Sequence, residues 1–342
     1  MGKTLDERLS IRFASIEASG SCLVPLDETE RRALLRRKRA SGNGGEVNGG
    51  TGGGKGRILS PHPGLFARET WWNGLNPLER HIALLRGLHC VHPNWVFAAF
   101  SAAALLGLDV SYDLLENVCI AVKPGSYTKD EGSLRRIVVR TGRTTKIEGI
   151  PVTHPLQTLL DCACLADFPN ALAMLDSGLR DLKMYDESIK IYVQMNGHGR
   201  KGIAKARLAV KHMSGKSANG GESKARAVMI EEGFMLPEQQ VELTDPVEPW
   251  RTFIVDFLWR LPDGTLVAGE HDGREKMENP EMLNGKTTAE AFRDERERES
   301  HLTARGLRIL RFTPEQVRRR EEFVRLLEAF EIPRVRKPIA WR

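Results

Sequence analysis

The chain has 342 residues, of which 41% are apolar, and 51 Lys and Arg against 45 Asp and Glu give a net charge of +6. That length suits two or three domains with sizeable cores, and no run of about 18 apolar residues suggests a membrane span. A sequence pI near 9.1 suits a polyanionic partner without requiring one.

The opening residues carry no apolar stretch of the secretory type, so a soluble cytoplasmic protein with no membrane partner is expected. Leu5, Leu9, Phe13 and Ile16 recur at helical spacing and predict a helix over 5–18. Asp27 and Glu30 form a capping-box pattern for a second helix running to about Ala40. Its run RRALLRRKR concentrates Arg31, Arg32, Arg36, Arg37, Lys38 and Arg39. A glycine tract over 41–56 follows and reads as a tether. Within it, Gly49 to Lys55 matches a phosphate-binding loop, but Gly56 stands where Ser or Thr would hold magnesium, and no apolar strand precedes it. RILSPHPGLFAR predicts two short strands around a Pro–Gly turn.

Asn76, Pro77 and Glu79 mark a clean helix start, and Ser101 is expected to cap a short helix ending at Gly107. ENVCIAV and RRIVVRTG read as strands, and the stretch from Thr153 to Leu182 reads as helical with a break near Pro169. Five cysteines, at 22, 90, 119, 162 and 164, are odd in number and lack CxxC spacing, as expected of free or buried thiols in a reducing compartment. Residues 186–220 look like a basic, helical connector. A helix from Glu222 to Glu232, stopped by Gly233, opens the last region. Strands are predicted over 239–244, 253–260 and 266–272, then a helix from the Thr287/Glu290 capping box, the strand LRILRF, and a final helix from Thr313.

The turn Leu261-Pro262-Asp263-Gly264 has Pro at its second position and Gly at its fourth, the pattern of a three-residue hairpin loop closed by a left-handed glycine. Leu261 then pairs with Thr265, and counting back sets Asp256 opposite Glu270. A two-residue loop would instead set Asp256 opposite His271. On the first register Asp256, Glu270 and Asp272 share one face, with Lys276 just beyond, and His271 points the other way. Two such charges about 5 Å apart repel by roughly 3 kcal/mol at an effective dielectric near 20. A bound divalent cation or a raised pKa on one acid would relieve this. Read as strand-end charges in water, they need neither. The helix AFRDERERESHLTARG has almost no apolar stripe beyond Phe292 and Leu302, so it faces solvent or a charged partner.

With GGESKAR, PEQQVEL, FIVDFLWR, VAGEHDGREK and ERERESHLTARGLRILRF in this order, residues 221–320 resemble the PD-(D/E)XK nuclease superfamily, nearest its very-short-patch-repair-like branch with an ExDG core. The resemblance implies metal-ligating Glu222, Asp256 and Glu270, and a catalytic set of Asp256, Glu270, Asp272 and Lys276. It also implies magnesium or manganese as cofactor, and Arg298 on DNA phosphates with Glu299 beside it on the following helix. The superfamily usually has Lys two residues after the second acid; here that place holds Asp272. FSAAALLGL, RRIVVRTG and KIEGIPVTHPLQTLLD are similar to AbiEi-type antitoxins, transcriptional regulators of toxin–antitoxin systems, and the front end is similar to that family's degenerate winged helix.

The expected fold class is therefore multidomain α/β. It comprises a winged-helix-like region over 1–70, an AbiEi-like α+β domain over 71–185, a linker over 186–220, and a restriction-endonuclease-like αβββαβ core over 221–333. The implied partners are DNA, touched by the basic residues of 31–39, and a cognate toxin. Two function classes follow: a metal-dependent endonuclease, or a non-catalytic antitoxin-like regulator carrying a decayed nuclease fold.

Overall fold

The computed structural model describes residues 4–42, 57–126, 129–140, 142–271, 287–304 and 306–339. The chain is mixed α/β and divides into two compact units, 1–162 and 163–342. Among the described residues no helix is long and apolar enough to cross a membrane.

In the first unit, α1 (Leu5–Ala18) starts at a capping box between Thr4 and Glu7 and buries Leu9 and Phe13. In α2 (Glu28–Gly42) Asp27 accepts from the Glu30 N–H as expected. Glu30 itself reaches the Leu26 N–H and Arg12 instead of closing the box, so its carboxylate ties the two helices together. Strands β1 (Ile58–His62) and β2 (Leu65–Arg68) form the predicted hairpin. Leu9, Phe13, Leu34, Ile58 and Phe66 of these four elements make one small core with Leu23, which bridges to Phe66.

Beyond α3 (Glu69–Gly74), α4 (Pro77–Val91) begins at the Asn76/Glu79 capping box. Helix α5 (Ala99–Leu105) starts two residues before Ser101, so Ser101 is no cap. It is fully buried, and its Oγ accepts from the Cys119 N–H at 2.8 Å and lies 3.0 Å from His81 Nε2. A local cap pattern cannot reveal that tertiary use. Strands β3 (Val118–Val122) and β4 (Leu134–Val138) pair in parallel, and β5 (Thr144–Ile147) and β6 (Ile150–Thr153) form a hairpin. The backbone of 96–98 stitches the two pairs: Phe97 bonds Pro151 and Thr153 on one side, and its neighbours bond Cys119 and Ala121 on the other.

Burial pushes His81 down to about 4 from 6.5, against a backbone hydrogen bond at Leu115. A histidine held neutral in the fold supports stability fully above its ordinary pKa, and that support drains away as the pH falls from there towards about 4. The stability advantage of the parent over His81→Gln should shrink by about 3 kcal/mol between pH 7 and pH 4, read by urea denaturation. A constant difference would contradict this.

Cys22, Cys119, Cys162 and Cys164 are buried, and Cys90 is exposed. Burial pushes Cys22 up to about 12 and Cys119 up to about 11. A thiol reagent should therefore modify one cysteine rapidly in the native chain and the other four only on unfolding.

After α6 (Pro155–Leu165), the second unit contains α7 (Phe168–Arg180), α8 (Asp186–Asn196), α9 (Ile203–His212) and α10 (Gly220–Glu232). The break before α7 lies at Asp167, whose carboxylate caps Asn170 N, with Pro169 in the first turn. A four-stranded sheet follows in the order β10-β9-β8-β7: β7 (Glu238–Thr244), β8 (Thr252–Arg260), β9 (Leu266–His271) and β10 (Arg308–Phe312). β10 runs parallel to β9, so the chain must cross over between them, and α11 (Thr288–Thr303) lies in that connection. One sheet face packs Phe257, Trp259, Val267 and Phe312 against α10, α12 (Pro314–Arg318) and α13 (Arg320–Ala329). The other packs Phe253, Val255, Leu258 and Ala268 against Leu302 of α11. The predicted single last helix is two, because Arg319 leaves helical geometry with ψ at 69°.

The division at 162/163 differs from the boundaries expected at 185 and 220. Helix α7 packs on α10 through Asp176, which is wholly buried and accepts from Arg226 at 2.8 Å and from Ser223 at 2.8 Å. Helix α7, expected in the middle domain, is thus tied to the last region by a buried ion pair that no short-range pattern signals, and the stretch read as a linker joins them through Ser214 N–H to Asp176 and Arg226 to the His212 carbonyl.

Candidate functional site

The hairpin between β8 and β9 has the register its turn dictates. Leu261 N–H donates to Thr265 O at 2.9 Å, and Gly264 sits at φ +88°, a conformation glycine adopts without steric cost. The pairs run from Arg260↔Leu266 to Phe257↔Gly269, one step short of Asp256 and Glu270. There the ladder ends, and Asp256 Oδ2 takes the His271 backbone N–H at 2.8 Å in place of a strand carbonyl.

Strict alternation does not survive at this point. Phe253 and Val255 pack on the α11 side, whereas Phe257 and Trp259 pack on the α10 side. Asp256 is where β8 changes face.

On its other flank β8 pairs with β7, Gln239 to Phe257 and Val241 to Val255, which sets Gln240 across from Asp256. Gln240 has φ +48° in mid-strand. Its Nε2 donates to Asp256 Oδ1 at 3.2 Å and to Glu222 Oε2 at 3.0 Å. Glu222 lies in the first turn of α10, only 2% exposed, and also accepts from Ala218 N at 2.8 Å and Asn219 Nδ2 at 2.9 Å. Glu222 and Asp256 are therefore joined through one amide.

Glu270 is held from the other side. Arg298 of α11 donates to Glu270 Oε1 at 2.7 Å, to the Ile254 carbonyl at 2.8 Å, and to Glu295 at 3.2 Å. Burial raises the Glu270 pKa and the nearby Asp256 charge adds to it, while Arg298 pulls it back. Burial works against the Arg298 charge, yet the Glu270 hydrogen bond lifts its pKa above the ordinary value. Glu299 contacts Arg311 at 3.3 Å, and Arg311 also bonds Glu295. The charges of α11 thus form a network that reaches Glu270. The His271 ring is edge-on to Phe312 at 5.6 Å and packed on Gly221, beside Glu222, where a Cβ would come within 2.4 Å of it. Asp272 and Lys276 lie outside the described residues.

Of the basic residues on α2, Arg31 and Arg32 both pair with Glu28, and Arg37 pairs with Asp6. Arg36 and Lys38 are exposed, and the Arg39 side chain lies outside the described part of the helix.

Two features escaped sequence reasoning. One is Gln240: an amide in a strand carries no motif. The other is a group formed by Asp245, Glu248 and His301, whose candidate ligand atoms lie within 4.8 Å of one another. Asp245 Oδ2 is 2.8 Å from His301 Nδ1, and Oδ1 accepts from Val247 N and Glu248 N. Although burial opposes it, these hydrogen bonds hold the Asp245 pKa below the usual range. They join α11 to the β7–β8 loop, a structural role that needs no ion.

No family model and no solved structure matches the chain. It is similar to two uncharacterized proteins of Mycobacterium tuberculosis, one from each of two strains, each 34% identical over 190 residues. The match takes in 55% of this chain and 66% of each relative, a little under two thirds of their length.

Proposed function

We propose that the second unit is a metal-dependent phosphodiester hydrolase acting on DNA. One observation supports this above the others: Asp256 is bonded through Gln240 to Glu222 and takes the His271 N–H beside Glu270, whose pKa its charge helps to raise. Three carboxylates are hard oxygen donors, the set that suits magnesium or manganese better than zinc or copper. The order of α10, β7, β8, β9, α11 and β10 also accords with the αβββαβ core of PD-(D/E)XK nucleases.

Glu222, Asp256 and Glu270 would hold the cation by drawing together, since among the described residues it is Asp245, Glu248 and His301 whose ligand atoms already lie within 4.8 Å of one another; the cation when bound lowers the pKa of an attacking water and polarises the phosphate. The remaining steps fall to the chain itself. Ala218 N and Asn219 orient Glu222, the His271 N–H orients Asp256, and Arg298 orients Glu270. Arg298 also supplies a cation beside Glu270 where Asp272 replaces the usual lysine. Arg36 and Lys38 add sequence-independent attraction to the DNA backbone, which weakens with salt.

Supercoiled plasmid tests the reading. Nicked or linear DNA should appear with magnesium or manganese and disappear with EDTA. No cleavage under any divalent metal would sink it. A non-catalytic, AbiEi-like DNA-binding regulator that neutralises a toxin is the second reading. It is favoured by Asp272 at the lysine position and by Arg298 already paired with Glu270. Operator binding that survives loss of all three acids, in a chain that never cuts, would select it.

A further inference from the structure

A non-glycine residue at φ +48° inside a strand costs free energy and persists only where its surroundings hold it. Gln240 is such a residue, and its backbone departs from the strand at the position facing Asp256. What its side chain gains is a bridge: one NH2 group gives a hydrogen bond to Asp256 at 3.2 Å and another to Glu222 at 3.0 Å.

We propose that Gln240 is a positioning residue that sets the spacing of Glu222 and Asp256 for a divalent cation. This role rests on the metal-dependent reading above. The chemistry of the amide fits it. Two facing carboxylates repel each other, and a neutral donor between them lowers that repulsion without placing a competing positive charge there. A lysine in the same place would neutralise the pair and oppose the cation. Glu222 comes from a helix and Asp256 from a strand, and among the described contacts Gln240 is the side chain that bonds both.

The test uses the full chain and manganese alone, with affinity by titration calorimetry and melting by circular dichroism. Gln240→Met keeps the length and removes the donor. Gln240→Asn tolerates the left-handed backbone but is one methylene too short to bridge. Both should weaken manganese binding about 10- to 100-fold, the usual effect of removing a group that orients a metal ligand. The Asn variant should melt within about 3 °C of the parent. If both variants bind manganese as tightly as the parent, Gln240 is structural and the proposal falls. If the parent binds no manganese, or its binding survives Asp256→Asn, the metal-dependent reading fails and takes this role with it.

Discussion

Replacing Asp256 with Asn should slow magnesium-dependent DNA cleavage at least about a thousandfold, roughly 4 kcal/mol of barrier. The substitution keeps an oxygen able to accept the His271 N–H, whereas Ala would leave that donor without its acceptor. Removing the charge takes away the proposed ligand that is bridged to Glu222 through Gln240 and whose charge acts on Glu270. Melting should stay close to that of the parent, because Asp256 is only partly buried and the cores on both sheet faces are untouched. Cleavage at the parental rate would remove Asp256 from the chemistry.

The second large effect concerns the seam between α7 and α10. Arg226→Met should destabilise the second unit by about 3–5 kcal/mol at neutral pH, measured by urea denaturation. The pair is buried on both sides, at 0% exposure for the Asp176 side chain and 7% for Arg226, so losing the guanidinium leaves a carboxylate without its countercharge. Burial already raises the Asp176 pKa, with Arg226 and the Ser214 backbone opposing it. A carboxyl whose folded pKa is raised favours the fold when protonated and burdens it when ionised. The deficit of Arg226→Met should therefore be largest at neutral pH and shrink as the pH falls. Asp176→Asn added to Arg226→Met should recover part of the loss, since the uncompensated charge is gone while Ser223 keeps an acceptor. A single substitution costing under about 1 kcal/mol would show that α7 and α10 do not depend on this pair.

Turn chemistry made the hairpin legible. Pro262 and Gly264 specify a three-residue loop, and from that alone the register from Arg260↔Leu266 to Phe257↔Gly269 follows to the residue. Capping patterns at Asn76, Thr287 and Thr313 placed three helix starts for the same reason: both partners lie within four residues of each other. Ser101 shows the limit. A serine before an apolar run looks like a cap, yet its hydroxyl serves Cys119 and His81 across the core. Asp176 and Arg226 are 50 residues apart, so nothing local marks the seam that carries 163–220 into the second unit. At the candidate site the acids were readable because carboxylates are rare near strand centres, whereas Gln240 and the change of face at Asp256 arise from a backbone conformation the sequence does not advertise. The resemblance implies a phosphate contact for Arg298. In the structure it bonds Glu270, and the helix charges taken for a solvated face form the network behind it.

The most direct measurement is the position of manganese in crystals of the full chain, read from its anomalous scattering. The expected result is a peak within coordination distance of Glu222, Asp256 and Glu270. A peak at Asp245, Glu248 and His301 instead, or none at either place, would contradict the proposed centre.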